Sequence, residues 1–403
     1  MRRILPWLLG LLLLFVPAWS EPLLRTGAYV QDVTPTSVVI AIIERSPRAL
    51  ELVASAAGQP ERRIRDLACR RHALRIEGLV AATQYQYEVR DPEGASVATG
   101  KFRTFPAGPD AAISFCVVGD SGAVPPWVWL QAAPAVQALD ACGLLPASSE
   151  NSALGAAMAK LAPDLWLHVG DVVYPYGQER HSREAFFRPF AEVLSGSPCY
   201  AVLGNHDLGN ESVYSDQGRP LLRNLVLPHG RTTGDERCYS VVCGPVRFIA
   251  LDLNATLIPT STEPGIHAGH PSYVHLEREL AVAKEPFLVV FSHYPMWSGS
   301  RGVDNENLKA TIKPLLEKAK VDVLFAGHDH VYQHMEAPSG LVQITTGGGG
   351  KSLYELKKHP LTKAEAARFH FCHVTVTSER MQIRALTANG EVLDEVTITR
   401  KQR

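Results

Sequence analysis

The stretch Leu165-Trp166-Leu167-His168-Val169-Gly170-Asp171-Val172-Val173-Tyr174 decides how the rest of the chain is read. Leu165 to Val169 is an apolar run of strand length. A strand ending in Gly-Asp delivers a carboxylate into the crevice at its carboxyl end, where open α/β sheets keep their ligands. Tyr174 follows closely enough to reach the same crevice. One carboxylate can bridge two cations. A phenol, whose ordinary pKa is about 10, ligates only where a strong Lewis acid removes its proton. We therefore read Asp171 as a bridge between two metal ions and Tyr174 as a ligand to one of them.

Four further strand-like runs end in the same way. Ile113 to Val118 leads into Gly119-Asp120-Ser121-Gly122, and Cys199 to Leu203 into Gly204-Asn205-His206-Asp207. Phe287 to Phe291 ends in Ser292-His293, and Val321 to Ala326 in Gly327-His328-Asp329-His330. Gly-Asp and Gly-Asn are ordinary turn dipeptides one at a time. Repeated at five strand ends, always with Asp, Asn or His, they point to a dinuclear metal site. Between these strands lie helical patterns. One is capped by Ser152 with Leu154, Met158 and Leu161 on one face, and another starts at Pro271 with Tyr273, Leu276, Leu280 and Ala283 inward. A hairpin is expected at Gly244-Pro245, and Phe369 to Ile398 returns to short strands. The expected fold is α/β (α+β), a four-layer αββα sandwich with mixed sheets, over residues 108–403.

Residues 1–20 read as a cleaved secretory signal, with Arg2 and Arg3 before an apolar core and Ala18-Trp19-Ser20 at the cleavage site. That core is too short to span a bilayer, which takes roughly 20 residues, so neither stable membrane insertion nor a second span is expected. Residues 21–107 read as all-β, with Tyr85, Tyr87 and Val89 alternating inward. The pattern from Leu79 to Val89 resembles the tail of a fibronectin type III-like domain. Such a module either shapes the substrate cleft, joins two copies as a homodimer, or is a passive spacer. Pro106 to Pro109 reads as the linker. The seven cysteines do not form an evident disulfide framework: Cys116 and Cys199 sit in apolar strands, and Cys238 and Cys243 lie too far apart along one strand to pair. The 403 residues carry 40 basic and 41 acidic side chains, which gives no bulk field for nucleic acid or an anionic membrane.

The five strand-end motifs, in this order, resemble those of the purple acid phosphatases, within the calcineurin-like metallophosphoesterase superfamily. The resemblance spans roughly Ile113 to Gly350. It implies a ferric ion held by Asp120, Asp171, Tyr174 and His330, and a divalent ion (Fe, Zn or Mn) held by Asp171, Asn205, His293 and His328. Hard carboxylate and phenolate oxygens suit the trivalent ion, and imidazole and amide oxygen the divalent one. Divalent-metal relatives usually carry a histidine two residues after the first aspartate. Gly122 stands there instead, and the resemblance implies that Tyr174 would fill the gap.

The activity so implied is a secreted acid phosphatase acting on phosphate monoesters, with a metal-bound hydroxide as nucleophile and an acid optimum. Alternatives on the same core are a phosphodiesterase or nucleotide pyrophosphatase, or a non-catalytic exported binding protein. His206 is expected to bind phosphate or protonate the leaving alkoxide, with Asp207 either orienting it or capping a turn. Animal-type members carry a second substrate histidine after the His-Tyr-Pro segment. Here Ser298-Gly299-Ser300-Arg301-Gly302 offers none, and Arg301 is the nearest phosphate donor, or else an exposed loop arginine. Gly347 to Gly350 reads as backbone passing close beneath the site. His267, His270, His370 and His373 are read as non-ligands.

Overall fold

The computed structural model describes residues 24–131, 133–142, 144–209, 217–231, 233–256 and 265–402; the signal segment lies outside them. The chain opens with an antiparallel sheet of β1 (Tyr29–Gln31), β2 (Ser37–Ser55), β3 (Arg62–Glu77), β4 (Gln84–Arg90) and β5 (Ser96–Arg103). The long β2 pairs β3 along most of its length, β1 along its first half and β4 along its second, with register breaks between Ile43 and Leu50. Tyr85, Tyr87 and Val89 are buried, so the alternation reads correctly as an inward face. Polar contacts fasten this sheet to the larger part of the chain. Tyr87 donates to the Ser195 carbonyl at 3.0 Å, Tyr29 to the Asn224 carbonyl at 2.5 Å, and Arg103 pairs with Asp164 at 2.9 Å.

Two mixed sheets then pack face to face. One holds β6 (Ile113–Val118), β7 (Leu165–His168) and β8 (Cys199–Ala201), all parallel. The other is built on β9 (Tyr239–Cys243), β10 (Val246–Leu251), β11 (Phe287–Ser292) and β12 (Val323–Ala326), with β13 (Tyr332–Glu336), β14 (Val342–Thr346) and β15 (Thr362–Ala366) beyond. The closing strands β16 (Phe371–Val376), β17 (Arg380–Leu386) and β18 (Val392–Thr399) extend the first sheet from β6. Phe115 of β6 meets Phe248 of β10 and Phe325 of β12 edge to face, at 4.9 and 6.2 Å between ring centroids. Strands buried on both faces read as unbroken apolar runs, which is why they were visible in the sequence. The hairpin at Gly244-Pro245 joins β9 to β10.

Helices cover the outer faces. Pro271–Val282 and Glu306–Lys318 lay Leu276, Leu308, Ile312 and Leu316 onto Leu288, Val290 and Leu324 of the second sheet. The helix on the first sheet runs Ser149–Lys160, with Ser148 at its cap position rather than Ser152. Glu150 in its first turn suits the positive end of the helix dipole. Leu154 and Met158 are buried, whereas Leu161 lies past the last turn and is exposed. His270 caps the helix that starts at Pro271, accepting from Ser272 N at 3.2 Å, a structural use for a histidine read as a non-ligand. All seven cysteines are unpaired.

Candidate metal centre

The residues at the carboxyl ends of β6, β7, β8, β11 and β12 meet at one end of the sandwich. Asp120, Asp171 and His328 adopt left-handed backbone there, with φ of 55°, 54° and 67°. Non-glycine residues in that region cost of order 1–3 kcal/mol each and cluster at functional sites. The crossing is tight. A Cβ on Gly204 would lie 2.1 Å from Asp171 Oδ1, and one on Gly122 would lie 2.4 Å from the Val172 carbonyl oxygen. Gly122 is thus the residue that lets the Asp120 and Asp171 loops pair, through Tyr174 N to the Gly122 carbonyl at 3.0 Å. The run Gly347 to Gly350 passes directly alongside, with Gly349 N on the Gly119 carbonyl at 3.0 Å.

Two groups of electron-pair donors share Asp171. On one side, the Tyr174 hydroxyl donates to Asp171 Oδ2 at 2.8 Å and lies 3.3 Å from Asp120 Oδ1 and 3.1 Å from His330 Nε2. His330 Nε2 is itself 3.3 Å from Asp120 Oδ1. On the other side, His293 Nε2 lies 3.5 Å from Asp171 Oδ1, 3.2 Å from Asn205 Oδ1 and 3.3 Å from His328 Nδ1.

The donor chemistry fits cations. His293 Nδ1 donates to the Val169 carbonyl at 2.8 Å, and His330 Nδ1 to the Ser352 carbonyl at 2.7 Å. A carbonyl only accepts, so each neutral ring turns the lone pair of Nε2 inward, the arrangement that metal-binding histidines use. What those lone pairs face is carboxylate, amide oxygen, phenol oxygen and another imidazole. Asp120, Asp171 and His293 present ligand atoms all within 4.8 Å of one another.

Charges at the site point the same way. Burial pushes the Asp120 carboxyl up. Burial acts likewise on Asp171, but His293 and His206, with the His206 N–H, outweigh it and hold that carboxyl below its ordinary value. Burial disfavours charge on His293, yet Asp171 and Asp120 raise its pKa. Burial, then the Asp171 and Asp120 charges, push the Tyr174 phenol well above its ordinary value. Only ligation to a strongly acidic ion would leave it ionised at acid pH.

The expected substrate-facing residues separate on inspection. The His206 ring lies 4.4 Å from the Tyr174 ring, its backbone N–H on Asp171 Oδ1 at 2.9 Å and its Nδ1 on the Pro175 carbonyl at 2.7 Å. Asp207 does not orient that ring. Its buried carboxylate accepts from the backbone N–H groups of Val172 at 2.9 Å, Val173 at 3.0 Å and Gly204 at 2.9 Å. It is a positioning residue that ties the Asp171 loop to the Asn205 turn. Arg301 is anchored rather than adrift. Its Nε donates to Asp329 Oδ1 at 2.8 Å, its Nη2 to the His328 carbonyl at 3.2 Å, and its guanidinium lies 5.4 Å from the Tyr354 ring centre. Beside it opens a cleft of ≈ 290 Å³ that reaches from His328 and Tyr294 to Asn305 and Asn307.

Three participants escaped sequence reasoning. Asp329 is fully buried between the two histidines it separates, gripping Arg301 and the Ser298 hydroxyl. Tyr354 stacks on His330 at 4.2 Å, and Lys351 Nζ stands 4.8 Å from the Tyr174 ring centre. The Gly-His-Asp-His pattern was a usable signal for Asp329; the other two come after the glycine run without a pattern of their own.

Comparison with known proteins agrees with this geometry. Tartrate-resistant acid phosphatase type 5 of Sus scrofa is 27% identical over 322 residues, covering 73% of this chain and 89% of the relative. Purple acid phosphatase 4 of Arabidopsis thaliana is 24% identical over 315 residues, covering 71% and 83%. Among solved structures, the purple acid phosphatase PPD1 from yellow lupin (Lupinus luteus) seeds matches with a TM-score of 0.74 at 17% identity, a likeness of fold over 94% of this chain and 75% of that one. The calcineurin-like phosphoesterase family model matches residues 113–332, a span that contains every strand end meeting at Asp171. The chain belongs to the calcineurin-like phosphoesterase family.

Proposed function

We propose that this chain is an exported acid phosphatase of the purple acid phosphatase kind, hydrolysing phosphate monoesters at a ferric–divalent metal pair. One observation carries the reading. Asp171 turns Oδ2 to the phenol, carboxylate and imidazole group and Oδ1 to the imidazole and amide group. Asp120, Asp171, Tyr174 and His330 would hold the ferric ion, and Asp171, Asn205, His293 and His328 the divalent ion (Fe, Zn or Mn). Bound there, the pair would supply Lewis-acid neutralisation of phosphate oxygens and a hydroxide nucleophile in acid.

The chain supplies the rest. With Nδ1 on the Pro175 carbonyl, Nε2 is the ring atom through which His206 would meet phosphate or hand a proton to the departing alkoxide. Arg301, fixed by Asp329, offers a permanently charged donor at the edge of the cleft, where the alcohol portion of the ester would lie. Residues 21–107 are taken as a fibronectin type III-like domain beside the catalytic domain of residues 108–403. Export rests on the leader of residues 1–20.

The test is hydrolysis of p-nitrophenyl phosphate and bis(p-nitrophenyl) phosphate across pH, with a visible spectrum. We expect faster monoester turnover in acid and a tyrosinate-to-iron band that vanishes in Tyr174→Phe. Faster diester turnover would reverse the substrate class. A colourless, iron-free, fully active protein would remove the ferric assignment.

A further inference from the structure

Outside the strand-end site, on a different sheet, β3 carries a second convergence of metal-ligating side chains. Asp66, Cys69 and His72 are spaced three apart on a strand. In regular strand geometry of about 3.3 Å per residue, the first and last would stand roughly 20 Å apart, with Cys69 on the opposite face. Instead the β2–β3 ribbon turns a corner here. Its register shifts between Ile43 and Arg48 and again between Arg48 and Leu50, opposite this stretch.

The corner brings three ligand atoms together. Asp66 Oδ2 lies 3.0 Å from His72 Nδ1, and Cys69 Sγ lies 3.4 Å from His72 Nδ1 and 3.7 Å from Asp66 Oδ2. Sγ is also 3.7 Å from His72 Nε2 and 3.2 Å from the Arg71 carbonyl oxygen. Nδ1 is thus the ring nitrogen nearest both partners. In a tetrahedral zinc site, ligand bonds of about 2.0–2.3 Å set the ligand atoms about 3.3–3.6 Å apart. The observed separations of 3.0, 3.4 and 3.7 Å are of that size, with Sγ now beside the ring, 3.7 Å from Nε2, so ligation would need the Cys69 side chain to turn toward the Nδ1 lone pair.

The surroundings favour the same use. The His72 side chain is fully buried, while Asp66 is 39% exposed, which leaves the fourth position open to water. Neighbouring arginines are engaged elsewhere. Arg70 donates to the Glu44 carbonyl at 3.1 Å, and Arg71 is taken by Asn224 and Glu179. The set does not make a nucleophilic relay. A carboxylate–imidazole–thiol relay needs its acid and its thiol on opposite ring nitrogens, and here the thiol lies beside the ring, 3.4 Å from Nδ1 and 3.7 Å from Nε2, rather than at the nitrogen opposite Asp66. We propose that Asp66, Cys69 and His72 form a separate, structural site for a thiophilic divalent cation, zinc foremost, which staples the corner of the amino-terminal sheet.

The test uses the full chain in a Cys142→Ser background. Cys142 is exposed and five other cysteines are buried, so alkylation by N-ethylmaleimide then reads Cys69. Added zinc should slow that alkylation at least tenfold, a chelator should restore it, and Asp66→Asn should abolish most of the protection. Elemental analysis should find one ion fewer per chain in Cys69→Ser, with phosphate-ester hydrolysis unchanged, so this site and the proposed activity are judged separately. An alkylation rate indifferent to zinc overturns the proposal. So does protection that survives Asp66→Asn, or an ion count equal in Cys69→Ser.

Discussion

Truncating Asp207 separates two accounts of what that residue does. It sits beside His206 in sequence, yet its buried carboxylate holds the backbone N–H groups of Val172, Val173 and Gly204. Asp207→Ala leaves three buried donors without an acceptor. Each unsatisfied group costs about 1–3 kcal/mol, and neighbouring losses are not additive, so we take about 3–6 kcal/mol in all. At roughly 2 °C per kcal/mol for a large domain, Tm should fall by about 6–12 °C. The Asp171 and Asn205 loops lose their tie, and metal affinity should drop about 10–100-fold, as for other groups that orient ligands. Calorimetry and elemental analysis read both effects. A series of leaving groups supplies the contrast, because alkyl phosphates need a proton on departure and p-nitrophenyl phosphate does not. A variant with unchanged Tm and metal content, slowed only on alkyl phosphates, would refute the reasoning and make Asp207 a partner of the His206 ring.

Installing the histidine of the divalent-metal relatives, Gly122→His, should not add a ligand. Its Cβ would meet the Val172 carbonyl at 2.4 Å, so metal content and Tm should both fall; a folded variant with full metal content would contradict this. Arg301→Ala and Asp329→Asn should each raise KM about tenfold with little change in kcat, and the double variant should be no worse than either, since Asp329 acts through Arg301. Additive losses would show that Asp329 acts on the metal-binding loop instead. Burial lowers the His370 pKa to about 4, below an unfolded value near 6.5. The unfolded chain therefore takes up its proton first, and stability is lost as pH falls from about 6.5 towards 4, by about 3 kcal/mol at most from this group. His370→Gln, which keeps a partner for Thr346, should show a shallower fall of Tm between pH 7 and 5, and an identical slope would exclude the effect.

The architecture was legible where burial on both faces forces continuous apolar runs, as in β6, β7, β11 and β12. Their punctuation by Asp, Asn and His exposed the ligand set. The groups that aim those ligands and His206 were not legible, because the Val169, Ser352 and Pro175 carbonyls are backbone groups that no side chain encodes. Adjacency misled at Asp207. Residues Asn205–Leu208 form a 3₁₀ turn, which rotates successive side chains by about 120°, so His206 and Asp207 leave in different directions. The helix start was misplaced because Ser148, Ser149 and Ser152 offer competing caps, and only packing of Leu154 and Met158 selects among them. The corner in β3 was invisible, since spacings of three in a strand give no reason to expect contact.

Metal content in single-ligand variants, measured in the Cys69→Ser background, tests the two-sided Asp171 most directly. The parent should carry two ions per chain. His330→Ala should lose the ion on the tyrosine side alone, His293→Ala the other alone, and Asp171→Ala should weaken both. One ion in the parent, or an Asp171→Ala protein that keeps both ions as tightly as the parent, would contradict the account.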